Sequence, residues 1–347
     1  MTAPSTVPLT GWHRGASHAG HLGRRYPVSD GAPVEVVESG PSIPARLASL
    51  SLRLTFRPAL SVLSHVPHLP GRSVFWTSSR RGPGTRNRSG DGRPAQRVGT
   101  VGPCPGVLPA DGNRRVVLYL HGGAFLTCGV NSHSRIAITL SKFADAPVLV
   151  VDYRLIPKHS IGMALDDCYD GYRWLRLRGY EPDQIVIAGD SAGGYLALSL
   201  TQRLQAEGEY PAALVALSPL LQLDQEQKQN HPNSHSDALF PPRAFDALVA
   251  LVARAAAKNM VDGEPEEFYE PLDHIEPGLP RTLIHVSGSE VLLHDVDWPH
   301  AGLRQRGADR SSSVAGADPR FPAGRPTDSG SQSVLRQIGE YIREATG

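Results

Sequence analysis

A serine stands in a glycine-rich turn between an apolar run typical of a buried strand and a run with helical spacing. Residues 185–188 form the apolar run, the turn 189–194 has the sequence Gly-Asp-Ser-Ala-Gly-Gly, and residues 195–200 carry the helical pattern. Flanking glycines let a strand and a helix pass so closely that the hydroxyl of Ser191 stands clear of the sheet edge. The pattern predicts a strained strand-to-helix turn with Ser191 as a nucleophile. An ordinary glycine-rich turn is the alternative.

A pair of glycines follows another apolar run farther upstream. Residues 116–120 predict a buried parallel strand, which runs directly into His121, Gly122 and Gly123. Backbone N–H groups of glycine can approach an oxyanion closely because no Cβ stands in the way. The first residue of the helix after the serine, Ala192, offers another N–H without a helical partner. We predict an oxyanion hole made by Gly122, Gly123 and Ala192, with His121 bracing the loop; a plain turn at the end of the strand is the alternative.

Two further segments give these motifs a family resemblance. Residues 152–157, Asp-Tyr-Arg-Leu-Ile-Pro, are similar to a DYRLAP segment, and 164–175 are similar to the helix that follows it. Over residues 114–295 the chain resembles the α/β-hydrolases of the hormone-sensitive-lipase type, a group of bacterial esterases and lipases. It departs from them at Lys158, where an acidic residue is usual, and at 161–162, where a Phe-Pro pair is usual.

The resemblance implies a fold, an activity and a substrate class. The expected fold is the α/β-hydrolase fold, a mostly parallel sheet with helices on both faces and a helical cap. The expected activity is serine carboxylic-ester hydrolysis through an acyl-enzyme, acting on a small-molecule or lipid ester and using no metal and no organic cofactor.

Strand patterns alternate with helical patterns along the chain, which independently favours a parallel sheet covered by helices. The predicted strands are 116–120, 148–152, 185–188, 214–217 and 283–286. We predict an irregular tail over 1–41 and one hydrolase domain over 42–347. Within that domain, cap helices are expected at about 43–66 and 231–268.

A catalytic acid is expected after a late strand. Glu290 follows the strand 283–286 and precedes an aliphatic-Leu-Leu stretch, as the acid does in the family that the chain resembles. We therefore assign the acid to Glu290, with Asp295 as the second choice. The alternative for either carboxylate is a charge at a helix start that interacts with the helix dipole and has no part in catalysis.

The histidine base of the family pattern is missing. In the family it lies within Trp-Pro-Gly-x-x-His-x-Phe, some 30 residues after the acid, but residues 304–321 contain no histidine. His300 is a weak candidate because it follows Glu290 too closely for a strand and a helix to intervene, and a solvated loop histidine is its other interpretation. A catalytically inactive hydrolase-fold protein that binds a small ligand is therefore the alternative function.

Composition excludes other classes of function. The net charge is +1 and the basic residues are scattered, so nucleic acid is not an expected partner. Cys104, Cys128 and Cys168 form no C-x-x-C pair, which indicates neither a zinc site nor a disulfide framework. No apolar run reaches the roughly 18 residues of a membrane span.

We predict a cytoplasmic protein; peripheral association with the envelope through the leucines and arginines of 43–66 is the alternative. The oligomeric state is left open.

Two segments, 71–106 and 296–333, are rich in Arg, Gly, Pro and Ser and show neither strand nor helix periodicity. A structureless insert of this length is unusual inside a compact domain. Our hypothesis is that 296–333 is translated from a shifted reading frame. For 71–106 a flexible linker fits equally well.

The frame hypothesis makes a prediction about the coding DNA. Synonymous codons exist for residues 310–322 such that a shift of one nucleotide forward encodes Glu-Val-Arg-Leu-Trp-Pro-Gly-Gln-Ile-His-Val-Phe-Gln, which contains the missing family pattern. We expect the sequenced gene to yield this Trp-Pro and this histidine when it is read in the shifted frame. A gene that yields neither in that frame rules the hypothesis out.

Overall fold

The structure is a computed structural model of the 347-residue chain. It describes residues 98–101, 114–223, 228, 230–234, 237, 240–261, 264–266, 269–286, 290–295 and 329–347. The predicted tail 1–41, the predicted cap helices at 43–66, His300 and most of the segments 71–106 and 296–333 lie outside these ranges.

The described residues form a six-stranded sheet and a small hairpin. The strands are β1 (Val98–Val101), β2 (Val116–Leu120), β3 (Val148–Val151), β4 (Ile185–Asp190), β5 (Ala213–Leu217), β6 (Met260–Val261), β7 (Glu264–Pro265) and β8 (Arg281–His285). The large sheet has the order β1-β3-β2-β4-β5-β8, and all its neighbours except β1 and β3 pair in parallel. The predicted α/β-hydrolase fold with a mostly parallel sheet is confirmed.

The edge strand β1 lies inside a segment to which the sequence analysis assigned no regular structure. It pairs antiparallel with β3, so that Val98 is opposite Val151 and Val101 is opposite Val148. Its sequence, Val-Gly-Thr-Val, is neither a continuous apolar run nor an alternation of apolar and polar residues. An antiparallel strand at the edge of a parallel sheet is common in such folds, and it is specified here by pairing with a distant strand.

Helices cover both faces of the sheet, as the resemblance implied. They are α1 (Val130–Ala144), α2 (Ile161–Leu177), α3 (Ala192–Ala206), α4 (Pro242–Ala256) and α5 (Ser329–Ala345). Buried residues of α2, α3 and α4 form one apolar cluster, and those of α1 and α5 form another. Along β2 successive side chains enter alternate clusters, Leu118 and Leu120 one and Val117 and Tyr119 the other. A strand buried on both sides is apolar at every position, which explains the continuous run in the sequence.

The region 231–268 contributes α4 and the hairpin of β6 and β7. The residue that follows β7, Glu266, connects this region to α2. Glu266 accepts a hydrogen bond from the N–H of Gly162 at 2.8 Å, at the start of α2. A Cβ at position 162 would lie 2.5 Å from the same carboxylate oxygen. The departure from the family's Phe-Pro pair thus has a local role, because proline has no N–H to donate. Among the described helices, none is long and apolar enough to cross a membrane.

Helices α1 and α5 approach each other at a glycine. A Cβ added to Gly339 of α5 would lie 2.5 Å from the carbonyl carbon of Phe143 in α1, with Leu335 and Ile338 fully buried beside it. We expect Gly339→Ala to lower the free energy of unfolding by about 1–3 kcal/mol, because overpacking outweighs the ~1 kcal/mol gain in helix propensity.

Urea denaturation followed by circular dichroism measures this change as a lower midpoint at unchanged slope. The control is Ser333→Ala in the same helix, at an exposed position. The close approach is refuted if Gly339→Ala is as stable as this control.

Candidate active site

The backbone at Ser191 has a conformation that side chains rarely adopt. Between β4 and α3 this residue has φ 50° and ψ −119°. Its N–H donates to the carbonyl of Leu217 at 2.9 Å, and its own carbonyl accepts from Gly194 at 2.9 Å and from Leu220 at 3.0 Å. The serine is partly exposed. Such strain persists only where the surroundings over-determine it, and here hydrogen bonds from the end of β5 and from the helix hold it.

The nucleophile turn and the glycine loop after β2 are in backbone contact. A Cβ at Gly193 would collide with the carbonyl of Leu120 and lie 2.8 Å from that of His121. A Cβ at Gly122 would collide with the side chain of Asp190 and lie 2.9 Å from its carbonyl oxygen. The loop therefore lies directly against the turn that carries Ser191, and the glycines are required for this approach.

The glycine loop has its own turn beyond this contact. Gly123 has φ +119°, and its carbonyl accepts from Leu126 at 3.0 Å and Thr127 at 3.1 Å. On the other side, Ala192 is the first residue of α3, where backbone N–H groups have no partner within the helix. The four residues predicted for the nucleophile and the oxyanion hole thus belong to two turns in mutual contact.

His121 braces the loop from below. Its Nδ1 lies 2.8 Å from the carbonyl of Gly122, and its ring stacks on Tyr153 with 4.2 Å between centroids. The hydroxyl of Tyr153 donates to the carbonyl of His121 at 2.5 Å. Burial lowers the pKa of His121 to about 4, so the ring is neutral at physiological pH. These contacts agree with the structural role predicted for it.

Asp190 anchors a buried polar network that the sequence analysis missed. Its Oδ1 accepts from the hydroxyl of Tyr119 at 2.9 Å, and its Oδ2 lies 3.3 Å from Nε2 of His133. The other ring nitrogen of His133 lies 2.9 Å from Oγ of Ser132. Burial lowers the pKa of His133, but the charge and hydrogen bond of Asp190 outweigh it, so that the pKa is raised. The sequence contained a sign of this network, because His133 lies on the same buried face of α1 as the apolar Ile136.

Glu290 lies in the turn after β8 and is 5% exposed. The amide of Asn233 donates to its carbonyl at 3.0 Å, and Asp237 accepts the N–H of Val291 at 2.8 Å. The acid-bearing turn is therefore held by side chains from the region 231–268. Sequence reasoning did not single out Asn233 or Asp237, because both act across more than 50 positions of chain.

Asp295, the second choice for the acid, has both carboxylate oxygens occupied. Its Oδ1 lies 2.7 Å from Nζ of Lys228, and its Oδ2 accepts the N–H groups of Leu221 at 2.9 Å and Gln222 at 3.3 Å. The side chain is completely buried. Because both of its oxygens already contact other groups, Asp295 is less suited than Glu290 to orient a histidine.

His300, the weak candidate for the base, lies outside the described residues. The buried histidines that are described occupy structural positions: His121 in the glycine loop, His133 against Asp190, and His285 within β8, where burial lowers its pKa to about 4. No group of three or more His, Cys, Asp or Glu side chains in the described part of the chain is placed to hold a metal ion.

Comparisons with known proteins agree with this geometry. Residues 117–317 match the model of the α/β hydrolase fold family. The chain is 63% identical to the esterase LipU of Mycobacterium tuberculosis over 298 residues, which cover 85% of this chain and 100% of LipU. It is 58% identical to the carboxylesterase/phospholipase LipF of the same organism over 322 residues, which cover 91% of this chain and 86% of LipF. A solved esterase from the bacterial hormone-sensitive lipase family superposes with a TM-score of 0.59 at 28% identity, covering 73% of this chain and 85% of the other.

The strain at Ser191 can be measured by comparing two substitutions that both remove the hydroxyl. Glycine adopts a positive φ without a steric penalty, whereas alanine keeps the strain. We expect Ser191→Gly to be more stable than Ser191→Ala by about 1 kcal/mol in urea denaturation, even after the larger chain entropy of unfolded glycine is counted. A glycine variant less stable than the alanine variant would contradict a strained turn.

Proposed function

The chain belongs to the α/β-hydrolase fold family, in its hormone-sensitive-lipase branch, and from that premise we propose that it is a serine hydrolase of carboxylic esters. The observation that carries this proposal is the strained turn at Ser191 in backbone contact with the glycine loop 121–123. The esterase names of LipU and LipF support it and do not favour an inactive ligand-binding protein.

In the first half of the reaction, Oγ of Ser191 attacks the carbonyl carbon of the ester. A carbon–oxygen bond forms, the carbonyl electron pair moves onto oxygen, and the hydroxyl proton passes to the general base. The N–H groups of Gly122, Gly123 and Ala192 hold the resulting oxyanion, whose negative charge develops as the transition state is reached and is absent from the ground-state ester. Collapse of the intermediate breaks the bond to the alcohol, and the alcohol leaves with the proton from the base.

In the second half, water repeats the attack on the acyl-enzyme and releases the carboxylic acid and free Ser191. The base takes a proton from this water and returns it to the serine oxygen, so that the cycle closes without a net change in the protein. No redox step takes place. The chain supplies the proposed nucleophile, oxyanion donors and acid, whereas the base is the group that the sequence does not identify.

Glu290 is assigned the role of orienting the histidine base. Its carboxyl group is buried in a turn at the carboxyl end of β8, the edge of the sheet at which Ser191 follows β4. The saturated contacts of Asp295 with Lys228 and two amides support this choice. The base stays unassigned: His300 is its weak candidate within this chain, and the histidine of the shifted reading frame would be present only in a product translated from that frame.

Apolar side chains beside the glycine loop are proposed to contact the acyl part of the ester. Phe125 is buried and meets Tyr195 edge to face at 5.4 Å between centroids, whereas Leu126 is 37% exposed. An apolar surface next to the oxyanion hole suits a hydrocarbon substituent on the carbonyl carbon. The cytoplasmic location expected from the sequence also stays a prediction.

The nucleophile is tested by replacing Ser191 with alanine. We expect hydrolysis of a p-nitrophenyl ester to fall by at least about 10³-fold and fluorophosphonate labelling of the peptide that contains residue 191 to disappear, because the attacking oxygen is gone. The matched control is Ser134→Ala, which removes a hydroxyl that donates to the nearby carbonyl of Asn131.

Equal hydrolysis by the parent and by Ser191→Ala would remove the nucleophile assignment. A parent chain that binds ester analogues yet is never labelled would instead identify the ligand-binding alternative, because labelling requires an activated serine.

A further inference from the structure

The chain that follows β5 is held by a series of hydrogen bonds from consecutive backbone N–H groups. We call residues 220–223 the post-β5 segment. Its first N–H, that of Leu220, donates to the carbonyl of Ser191 at 3.0 Å. The next three N–H groups donate to carboxylates that lie far away in the sequence. The segment therefore lies between the nucleophile turn and two acidic side chains.

Asp295 holds the middle of the post-β5 segment. Its Oδ2 accepts the N–H groups of Leu221 and Gln222, and its Oδ1 pairs with Nζ of Lys228. Lys228 in turn donates to the carbonyl of Gln222 at 2.6 Å, and both charged side chains are at most 1% exposed. A buried ion pair gains little net stability after desolvation, but the loss of one partner is costly, so such a pair enforces one arrangement.

Glu270 holds the end of the segment and is itself fixed to α3. Both of its carboxylate oxygens lie 2.9–3.0 Å from the N–H nitrogen of Leu223. On either side of it, the hydroxyl of Tyr195 donates to the carbonyl of Tyr269, and the amide of Gln202 donates to the carbonyl of Pro271 at 2.8 Å. Since Ser191 directly precedes α3, the contacts form a closed circuit from the nucleophile turn through the segment and back to the helix that follows this turn.

We propose that Asp295 and Glu270 are positioning residues that hold Ser191 in its strained conformation through the post-β5 segment. The proposal rests on the proposed function in taking Ser191 as the nucleophile. Asp295 also ends the stretch that begins with the assigned acid, Glu290, so the brace joins the acid-bearing turn to the nucleophile turn. Neither positioning residue touches the substrate in this assignment.

Protonation of Glu270 couples the brace to pH. Burial raises the pKa of this carboxyl to about 7, while the amide of the segment and Lys228 oppose the shift and Asp273 and Asp295 add to it. The phenol of Tyr195 also faces it. Because the pKa in the closed brace exceeds the ordinary value, opening of the brace becomes easier as pH rises from about 4.5 through 7. Below about pH 4.5 Glu270 is protonated in both the closed and the open brace, and the backbone amides held by the brace are protected from exchange to the full extent.

The brace is tested by hydrogen–deuterium exchange of the full chain, which requires no enzymatic activity. In Asp295→Asn we expect the amides of Leu221 and Ser191 to exchange roughly tenfold faster or more, because a charged acceptor is lost and the segment loosens. The matched control is Asp166→Asn, an acid-to-amide change in an ion pair with Arg203 at the other end of α3. This control is expected to leave both amides at their parent rates.

Faster exchange at Leu221 with an unchanged rate at Ser191 would overturn the proposal, because the segment would then be held without holding the nucleophile turn. Equal effects of Asp295→Asn and Asp166→Asn would overturn it as well, because they would indicate general loosening of the fold.

Glu270→Gln supplies a second measurement if the asparagine variant does not fold. After correction for chemical exchange, protection of Leu223 and Ser191 in the parent should fall by roughly tenfold or more between pH 5 and pH 8. Burial also raises the pKa of Asp295, so the glutamine variant, which cannot ionise at position 270, should show a smaller fall than the parent. The proposal is wrong if the parent shows no such pH dependence or if the variant shows it undiminished.

Fluorophosphonate labelling separates this proposal from the proposed function. A parent that is labelled at Ser191 should react roughly tenfold faster than Asp295→Asn and at the rate of Asp166→Asn. A parent that is not labelled at all refutes the esterase proposal alone, and the exchange rates of Ser191 then decide whether the brace exists.

Discussion

A contact between two backbones is the constraint on which the rest of this site depends. The turn after β4 and the loop after β2 meet at Gly193, whose α-carbon has no room for a side chain beside the carbonyl of Leu120. The contact is available because β2 and β4 are parallel neighbours, so their carboxyl ends emerge at the same edge of the sheet. The proposed nucleophile after one strand and the proposed oxyanion donors after the next are thereby brought together without any long side chain reaching across.

Buried pairs of polar side chains lie close to this contact. Asp190 pairs with His133 under the glycine loop, and Asp295 pairs with Lys228 beside the post-β5 segment. The ion pairs of α2 and α3, such as that between Asp166 and Arg203, include a partly exposed side chain. Exposed pairs contribute little free energy, whereas a buried pair is strongly tied to one geometry. The two buried pairs therefore lie near the turn in which Ser191 has a strained backbone conformation.

Local patterns in the sequence were sufficient for much of the fold. Continuous apolar runs identified the five parallel strands, since a strand covered on both faces is apolar at each position. The glycine-rich turn was recognisable because another backbone passes so close to it that any side chain with a Cβ would collide. The edge strand β1 was not recognisable, because its four residues are specified by pairing with β3 and not by a pattern of their own.

By itself, the sequence determined the α/β class and predicted the nucleophile turn, the glycine loop and the two candidate acids, because each of these is written in contiguous residues. Only the tertiary structure distinguished the surroundings of the two acids, since the lysine that pairs with Asp295 stands 67 positions earlier in the chain. It likewise revealed that Asp190 is bonded to Tyr119 and His133, and that Glu266 meets the N–H of Gly162. Hydrogen bonds and ion pairs between distant segments leave no period in a sequence, because their partners are brought together only when the sheet and its helices have packed.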